Sequence, residues 1–81
     1  DLLRQFGRGG DAAAFGELVR RYEPLVRGAS RRLTRDRHAV DDAVQATFLA
    51  LARKADTIRH AEALPSWLYR VARSVTPRGA A

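Results

Sequence analysis

Apolar residues recur at steps of three and four from Phe15 to Leu33, and this spacing constrains the fold more than any other feature. The stripe consists of Phe15, Leu18, Tyr22, Leu25, Val26, Ala29 and Leu33. Such spacing gathers apolar side chains on one face of an α-helix, whereas a half-buried strand would alternate at every second residue. The chain therefore contains an amphipathic helix that needs partners to cover its apolar face.

Two later stretches repeat the pattern. The first carries Val40, Ala43, Val44, Thr47, Phe48 and Leu51. The second carries Leu64, Trp67, Leu68, Val71, Ala72 and Val75. Three helices with apolar stripes, and no convincing strand, predict an all-α domain built as a compact three- to four-helix bundle.

Local signals divide the chain. Asp11 is placed as an N-cap, Pro24 should kink or split its helix, and Pro77 with Gly79 should end the last one. The predicted organisation is a single domain over residues 1–81. Its parts are a short helix and turn (1–10), helix 2 (11–33), helix 3 (36–54), a loop (55–65) and helix 4 (66–75).

Charge and composition restrict the function. The 81 residues carry a net charge of +6, with fourteen Arg, a single Lys and no Cys. This excludes disulfides and thiolate metal sites, and it favours a polyanionic partner. No apolar run is long enough for a transmembrane helix, so a cytoplasmic protein without a membrane partner is expected.

A second face of helix 3 is free of the apolar stripe. Asp42, Gln45 and Leu49 line it at positions i, i+3 and i+7, with Asp41 nearby. An acid, an amide and an exposed Leu in a row suit a partner helix that carries cations around an apolar patch. The same pattern also fits an ordinary solvated face with one exposed Leu.

The C-terminal half is basic, with six cations and two acids between residues 50 and 81. On helix 4, Arg70 and Arg73 lie off the apolar stripe, three residues apart. This spacing allows contacts to successive phosphates, and it is equally compatible with a solubilising role.

These pieces occur in the order of a known family. The stretch DDAVQATFLAL at 41–51, followed by SWLYRVAR at 66–73, resembles the second conserved region of bacterial sigma factors. The closest group is the extracytoplasmic-function (ECF) class, whose upstream pattern is similar to GDAAAF at 10–15. The resemblance extends over about residues 1–73.

The resemblance implies docking of helix 3 on the clamp coiled coil of the largest catalytic subunit of RNA polymerase. By position in the family motif, Asp42, Gln45 and Leu49 would make the contacts, with Asp41 as a flank. Phe48 would belong to the core.

The resemblance also implies recognition and opening of the −10 promoter element, with one non-template base flipped into a loop. Candidate residues for contacts to DNA are Thr57, Arg59, His60, Ser66, Arg70, Arg73 and Ser74. Arg70 and Arg73 would hold the backbone, and Ser74 stands where the family usually has Asn. Trp67 lies on the apolar stripe, which favours a place in the core over a stacking role.

Other functions remain open on the sequence. A generic helix-turn-helix regulator would need a short turn and polar groups directed at base edges. A protein-interaction module held by an anti-sigma factor would use the same faces. An enzyme or a cofactor is not expected, because His38 and Asp42 alone are too few ligands for a metal site. No −35-reading domain is recognised within these residues.

Overall fold

Four α-helices follow one another along the chain, and the computed structural model describes residues 1–78. The helices are α1 (Leu2–Gly9), α2 (Ala12–Arg31), α3 (Arg37–Lys54) and α4 (Leu64–Val75). Two single 3-10 turns, Ala55–Thr57 and Ala61–Ala63, lie between α3 and α4. No strand occurs among residues 1–78, which confirms the all-α prediction.

The N-cap of α2 is Asp11, as predicted. Its carboxylate accepts hydrogen bonds from the backbone N–H groups of Ala13 and Ala14, at 3.0 and 3.2 Å. Gly10 precedes it with a φ of 63°, a left-handed conformation that ends α1 and that Gly adopts without a steric cost. The turn between the first two helices is therefore fixed by Gly10 and Asp11 together.

Asp11→Ala should lower the free energy of unfolding by about 1 kcal/mol, because two backbone donors lose their acceptor at an exposed helix end. Urea denaturation followed by circular dichroism measures the change. Asp56→Ala is the matched control, since the exposed Asp56 carboxylate takes part in no ion pair within residues 1–78. Equal losses in the two variants would contradict the capping role.

The bounds of α2 and α4 differ from the prediction, and α2 ends at Arg31 instead of residue 33. Pro24 does not split α2, which continues past it to Arg31 with the Pro side chain exposed. Helix α4 begins at Leu64 instead of Ser66, because Pro65 is accommodated in the first turn, where no backbone donor is needed. Gly79, predicted with Pro77 to end α4, lies outside the described residues.

The core lies where α2, α3 and α4 meet, with α1 packed against α2. Its buried apolar residues are Leu3, Leu18, Val26, Ala29, Val40, Val44, Phe48, Leu51, Ala55, Leu64, Leu68 and Ala72. Two predicted stripe members lie at the rim instead, since Leu25 is 36% exposed and Val75 is 38% exposed. At each position the neighbouring residue, Val26 or Thr76, turns inward, and adjacent residues point in different directions.

A buried pair of hydroxyl groups ties the end of α4 to the end of α2. The hydroxyl oxygens of Ser30 and Thr76 lie 2.9 Å apart, and both residues are buried. Buried polar groups are costly unless they are hydrogen-bonded, so this pair fixes the two helix ends side by side.

Candidate functional site

Helix α3 presents an exposed strip opposite its buried face. Every residue predicted for its apolar stripe is buried, and Asp42, Gln45 and Leu49 are all exposed. Leu49 is 55% exposed, although it directly follows the buried Phe48. Because α3 is held on its other side by the core, the strip is presented on a rigid helix.

Asp41 differs from the rest of the strip because it is engaged within the molecule. The guanidinium group of Arg27 on α2 donates to Asp41 Oδ1 at 2.8 Å and to Glu23 Oε2 at 2.7 Å. The contact with Asp41 joins α2 to α3 across the turn between them. Within residues 1–78, Asp42 takes part in no ion pair.

The ion pair shifts both partners. The hydrogen bond from Arg27 holds the pKa of the Asp41 carboxyl below its ordinary value of 3.8, against an opposing effect of desolvation. The hydrogen bonds to Asp41 and then to Glu23 raise the pKa of Arg27. Asp41 is exposed, so solvent screens this interaction and its contribution to stability is small.

The lowered pKa of Asp41 predicts a specific dependence of stability on pH. Its contribution is fully present above the ordinary value of 3.8 and is lost as pH falls through the lower folded-state pKa. The difference in unfolding midpoint between the wild type and Asp41→Asn should therefore be constant near neutrality and shrink under acid. Urea titrations from about pH 6 to about pH 2 measure it. A difference that does not change with pH would contradict this assignment.

A cleft of about 410 Å³ separates α1 from the loop that precedes α4. Arg59 and His60 of the loop line one wall, and Arg4 and Arg8 of α1 line the other. The structure therefore brings together two predicted DNA-contacting residues. The two Arg of α1 were missed, and their spacing of four residues on one helix face was the signal that pointed to them.

The cleft also contains acids, so its character is mixed. The Asp1 carboxylate accepts a hydrogen bond from the backbone N–H of Arg4 at 2.8 Å and so caps α1. Glu62 lies 3.9 Å from the imidazole Nδ1 of His60, at the edge of ion-pair distance. Arg59 takes part in no ion pair within the described part of the chain and is the loop cation that is free to contact a phosphate.

Two hydrogen-bonded turns define the shape of the loop between α3 and α4. The Ile58 N–H donates to the Ala55 carbonyl at 3.2 Å, and the Ala63 N–H donates to the His60 carbonyl at 3.0 Å. The Thr57 hydroxyl donates to the Lys54 carbonyl at 2.7 Å, and Ile58 packs half-buried against the core. Thr57, predicted to contact DNA, thus has its hydroxyl hydrogen atom engaged.

The remaining predicted DNA-contacting residues lie on α4. Ser66 and Arg70 are exposed but do not line the cleft. The Ser74 hydroxyl donates to the Val71 carbonyl at 2.8 Å. Trp67 packs half-buried against the core, which confirms the expectation from its place on the stripe.

Arg73 lies over the aromatic ring of Tyr69, a residue that was not among those predicted for the site. Its guanidinium carbon lies 5.8 Å from the centre of the half-buried Tyr69 ring, within range of a cation–π contact. The nearby guanidinium group of Arg73, and then the charge of Arg32, lower the pKa of the Tyr69 phenol, while desolvation acts in the opposite direction. Arg32 stands at the end of α2, so the basic face of α4 continues onto that helix.

No helix within residues 1–78 combines the length and the hydropathy that crossing a bilayer requires.

Residues 18–76, from the middle of α2 to the end of α4, match the family Sigma-70 region 2. No solved structure matches the chain.

Two curated relatives belong to one class of sigma factor. The ECF RNA polymerase sigma-E factor of Haemophilus influenzae is 38% identical over 63 residues, which are 78% of this chain and 33% of the relative. The ECF RNA polymerase sigma factor SigM of Mycobacterium tuberculosis is 36% identical over 62 residues, which are 76% of this chain and 32% of the relative. The matched residues thus span about one third of each relative.

Proposed function

The chain belongs to the sigma-70 region 2 family, as a region 2 domain of the ECF class, and from this premise we propose that it docks on core RNA polymerase and binds the −10 promoter element. Docking uses the exposed strip of α3, and its target is the clamp coiled coil of the largest catalytic subunit. In this role the chain acts in the cytoplasm as an adaptor, with no catalytic step of its own.

The observation that carries the docking proposal is the contrast within α3. Leu49 is 55% exposed on a helix whose other large apolar side chains are buried, and Asp42 and Gln45 are exposed beside it. A partner helix gains apolar burial at Leu49, and its cations meet Asp42 and the amide of Gln45. Asp41 contributes less, because Arg27 already neutralises it.

The DNA proposal rests on the cleft and on α4. A flipped base in the cleft would find the side chains of Arg59 and His60, while Arg70 and Arg73 lie on α4 where they can hold phosphates. The connection Ala55–Ala63 between α3 and α4 is far longer than the three- to four-residue turn of a helix-turn-helix protein, which disfavours that alternative.

Calorimetric titration of the chain with a purified clamp coiled-coil fragment tests the docking proposal. We expect saturable binding that weakens by about 30-fold or more in Asp42→Ala/Gln45→Ala, because the coiled-coil cations lose their partners. Gln5→Ala/Glu62→Ala is the matched control, since it removes one exposed amide and one exposed carboxylate elsewhere on the surface. Absence of binding by the folded chain, or equal losses in both variants, would refute the proposal.

A further inference from the structure

The turn between α2 and α3 is the most basic segment of the chain. Residues 26–40 contain five Arg and a single acid, Asp36. The Asp36 carboxylate caps α3 and accepts hydrogen bonds from the backbone N–H groups of His38 and Ala39, at 2.9 and 3.4 Å. The carboxylate of Asp36, the single acid of this segment, is therefore engaged in capping α3.

The structure gathers these cations around one cleft. Arg31, Arg35, Arg37 and His38 line an opening of about 590 Å³ between the end of α2 and the start of α3. The acid in its lining, Asp41, is paired with Arg27 at 2.8 Å. Within residues 1–78, neither Arg31 nor Arg35 nor Arg37 takes part in an ion pair.

The basic turn lies at the same end of the bundle as the end of α4. The hydrogen bond between Ser30 and Thr76 holds the two helix ends together. Arg32, next in sequence to Arg31, lies near enough to α4 for its charge to lower the pKa of the Tyr69 phenol. Positive charge therefore continues from the outer face of α4, through Arg32, to the cleft at the turn.

We propose that this basic turn, formed by Arg31, Arg35 and Arg37, binds the phosphodiester backbone of double-stranded DNA adjoining the −10 element. The inference rests on the proposed promoter role and extends it from the bases read by the loop to the paired DNA beside them. Arg suits this task, because its planar guanidinium group pairs with phosphate oxygens in a bidentate geometry.

The lining of the cleft favours duplex over single-stranded DNA. Proteins that hold single strands combine cations with aromatic side chains on which the bases stack. No Phe, Tyr or Trp is among the residues that line this cleft in the described part of the chain. Exposed cations without stacking rings suit contacts to the phosphates of a duplex better than contacts to unpaired bases.

Fluorescence anisotropy with the chain and two labelled probes tests the proposal. One probe is a duplex of about 20 base pairs of arbitrary sequence, and the other is single-stranded oligothymidine of the same length. Arg31→Gln/Arg35→Gln removes two cations from the turn. Arg21→Gln/Arg53→Gln, two exposed positions outside the cleft, removes the same charge elsewhere.

We expect the turn variant to bind the duplex roughly tenfold more weakly, with a slope of log affinity against log salt that is about 1.8 shallower, because two phosphate contacts are lost. Its affinity for oligothymidine should stay within about twofold of the wild type, and the control should retain most of its duplex affinity. Arg31→Lys/Arg35→Lys, which keeps the charge, should recover most of the salt slope.

Three results would overturn the inference: equal losses in the turn variant and the control, equal losses on the two probes, or no loss at all. Circular dichroism melts of each variant show whether a loss of DNA affinity comes from unfolding. If the turn variant is unfolded, Arg31→Lys/Arg35→Lys is compared with the wild type in its place. Titration of the same chain with the clamp fragment separates this inference from the proposed function. Failure to bind the clamp refutes the docking proposal, whereas an intact clamp affinity with an unchanged duplex affinity refutes only the basic turn.

Discussion

Leu51→Ala should lower the free energy of unfolding by about 2–5 kcal/mol, the largest effect on stability that we expect from one substitution in this chain. Leu51 is 0% exposed and belongs to the apolar core at which α2, α3 and α4 meet. Removing its three outer carbons loses apolar burial and leaves a cavity that the packed helices fill only in part. For a domain of this length the loss is a large share of the total stability.

Urea denaturation at neutral pH, followed by circular dichroism, measures this loss. Loss of helix content without any denaturant corresponds to the upper end of the expected range. A decrease of less than about 1 kcal/mol would show that the surroundings of Leu51 collapse around the smaller side chain and that the packing described for α3 is wrong.

Leu49→Ala should weaken binding to the clamp coiled coil and leave stability almost unchanged, although Leu49 is only two positions from Leu51 on the same helix. Its side chain is mostly exposed, so the free energy of unfolding should change by no more than about 0.5 kcal/mol. Affinity for the clamp coiled coil should fall by about 2 kcal/mol, close to 30-fold, because Leu49 is the apolar centre of the proposed docking strip.

Leu25→Ala is the matched control for this experiment, since Leu25 is also an exposed Leu, at 36%, on α2. It should leave the clamp affinity unchanged. Calorimetry on both variants, together with their denaturation curves, separates docking from folding. An unchanged affinity in Leu49→Ala, or the same decrease in both variants, would place the docking surface elsewhere.

The division of α3 into two faces was predictable from the sequence because it depends only on helix periodicity. The apolar steps that bury Val44 and Phe48 also place Gln45 and Leu49 outside. The N-cap at Asp11 was predictable for a similar reason, since a cap is set by residues close in sequence. The assignment of a partner to this face came from the resemblance, because periodicity alone also fits a solvated surface.

Contacts between helices were not predictable, because they depend on how the helices pack. Arg27 and Asp41 are fourteen positions apart, and the packing of α2 against α3 brings their side chains to 2.8 Å. Arg4 of α1 reaches the cleft beside Arg59 for the same reason. Distances between helices cannot be read from positions along the chain, so Asp41 was grouped with Asp42 although its surroundings differ.

The basic turn shows a different kind of omission. In the sequence, Arg31, Arg35 and Arg37 were counted only toward the net charge of the chain. Local charge was visible in the sequence, whereas the single cleft that gathers Arg31, Arg35 and Arg37 results from the meeting of two helix ends. Tyr69 was missed because it lies beside the apolar stripe of α4 and was assigned neither to the core nor to the basic face.

The hydrogen-bonded turns in the loop before α4 affect how readily the proposed preference of this domain for a DNA sequence could change. Hydrogen bonds within residues 55–58 and 60–63, and the packing of Ile58 against the core, order part of this loop on folding, so less entropy is lost when a base binds. Arg59 and His60 are exposed on this frame and contribute nothing to the core. In the proposed role, substitutions at these two positions would change which base is preferred while leaving the core intact, so that promoter choice could diverge without a loss of stability.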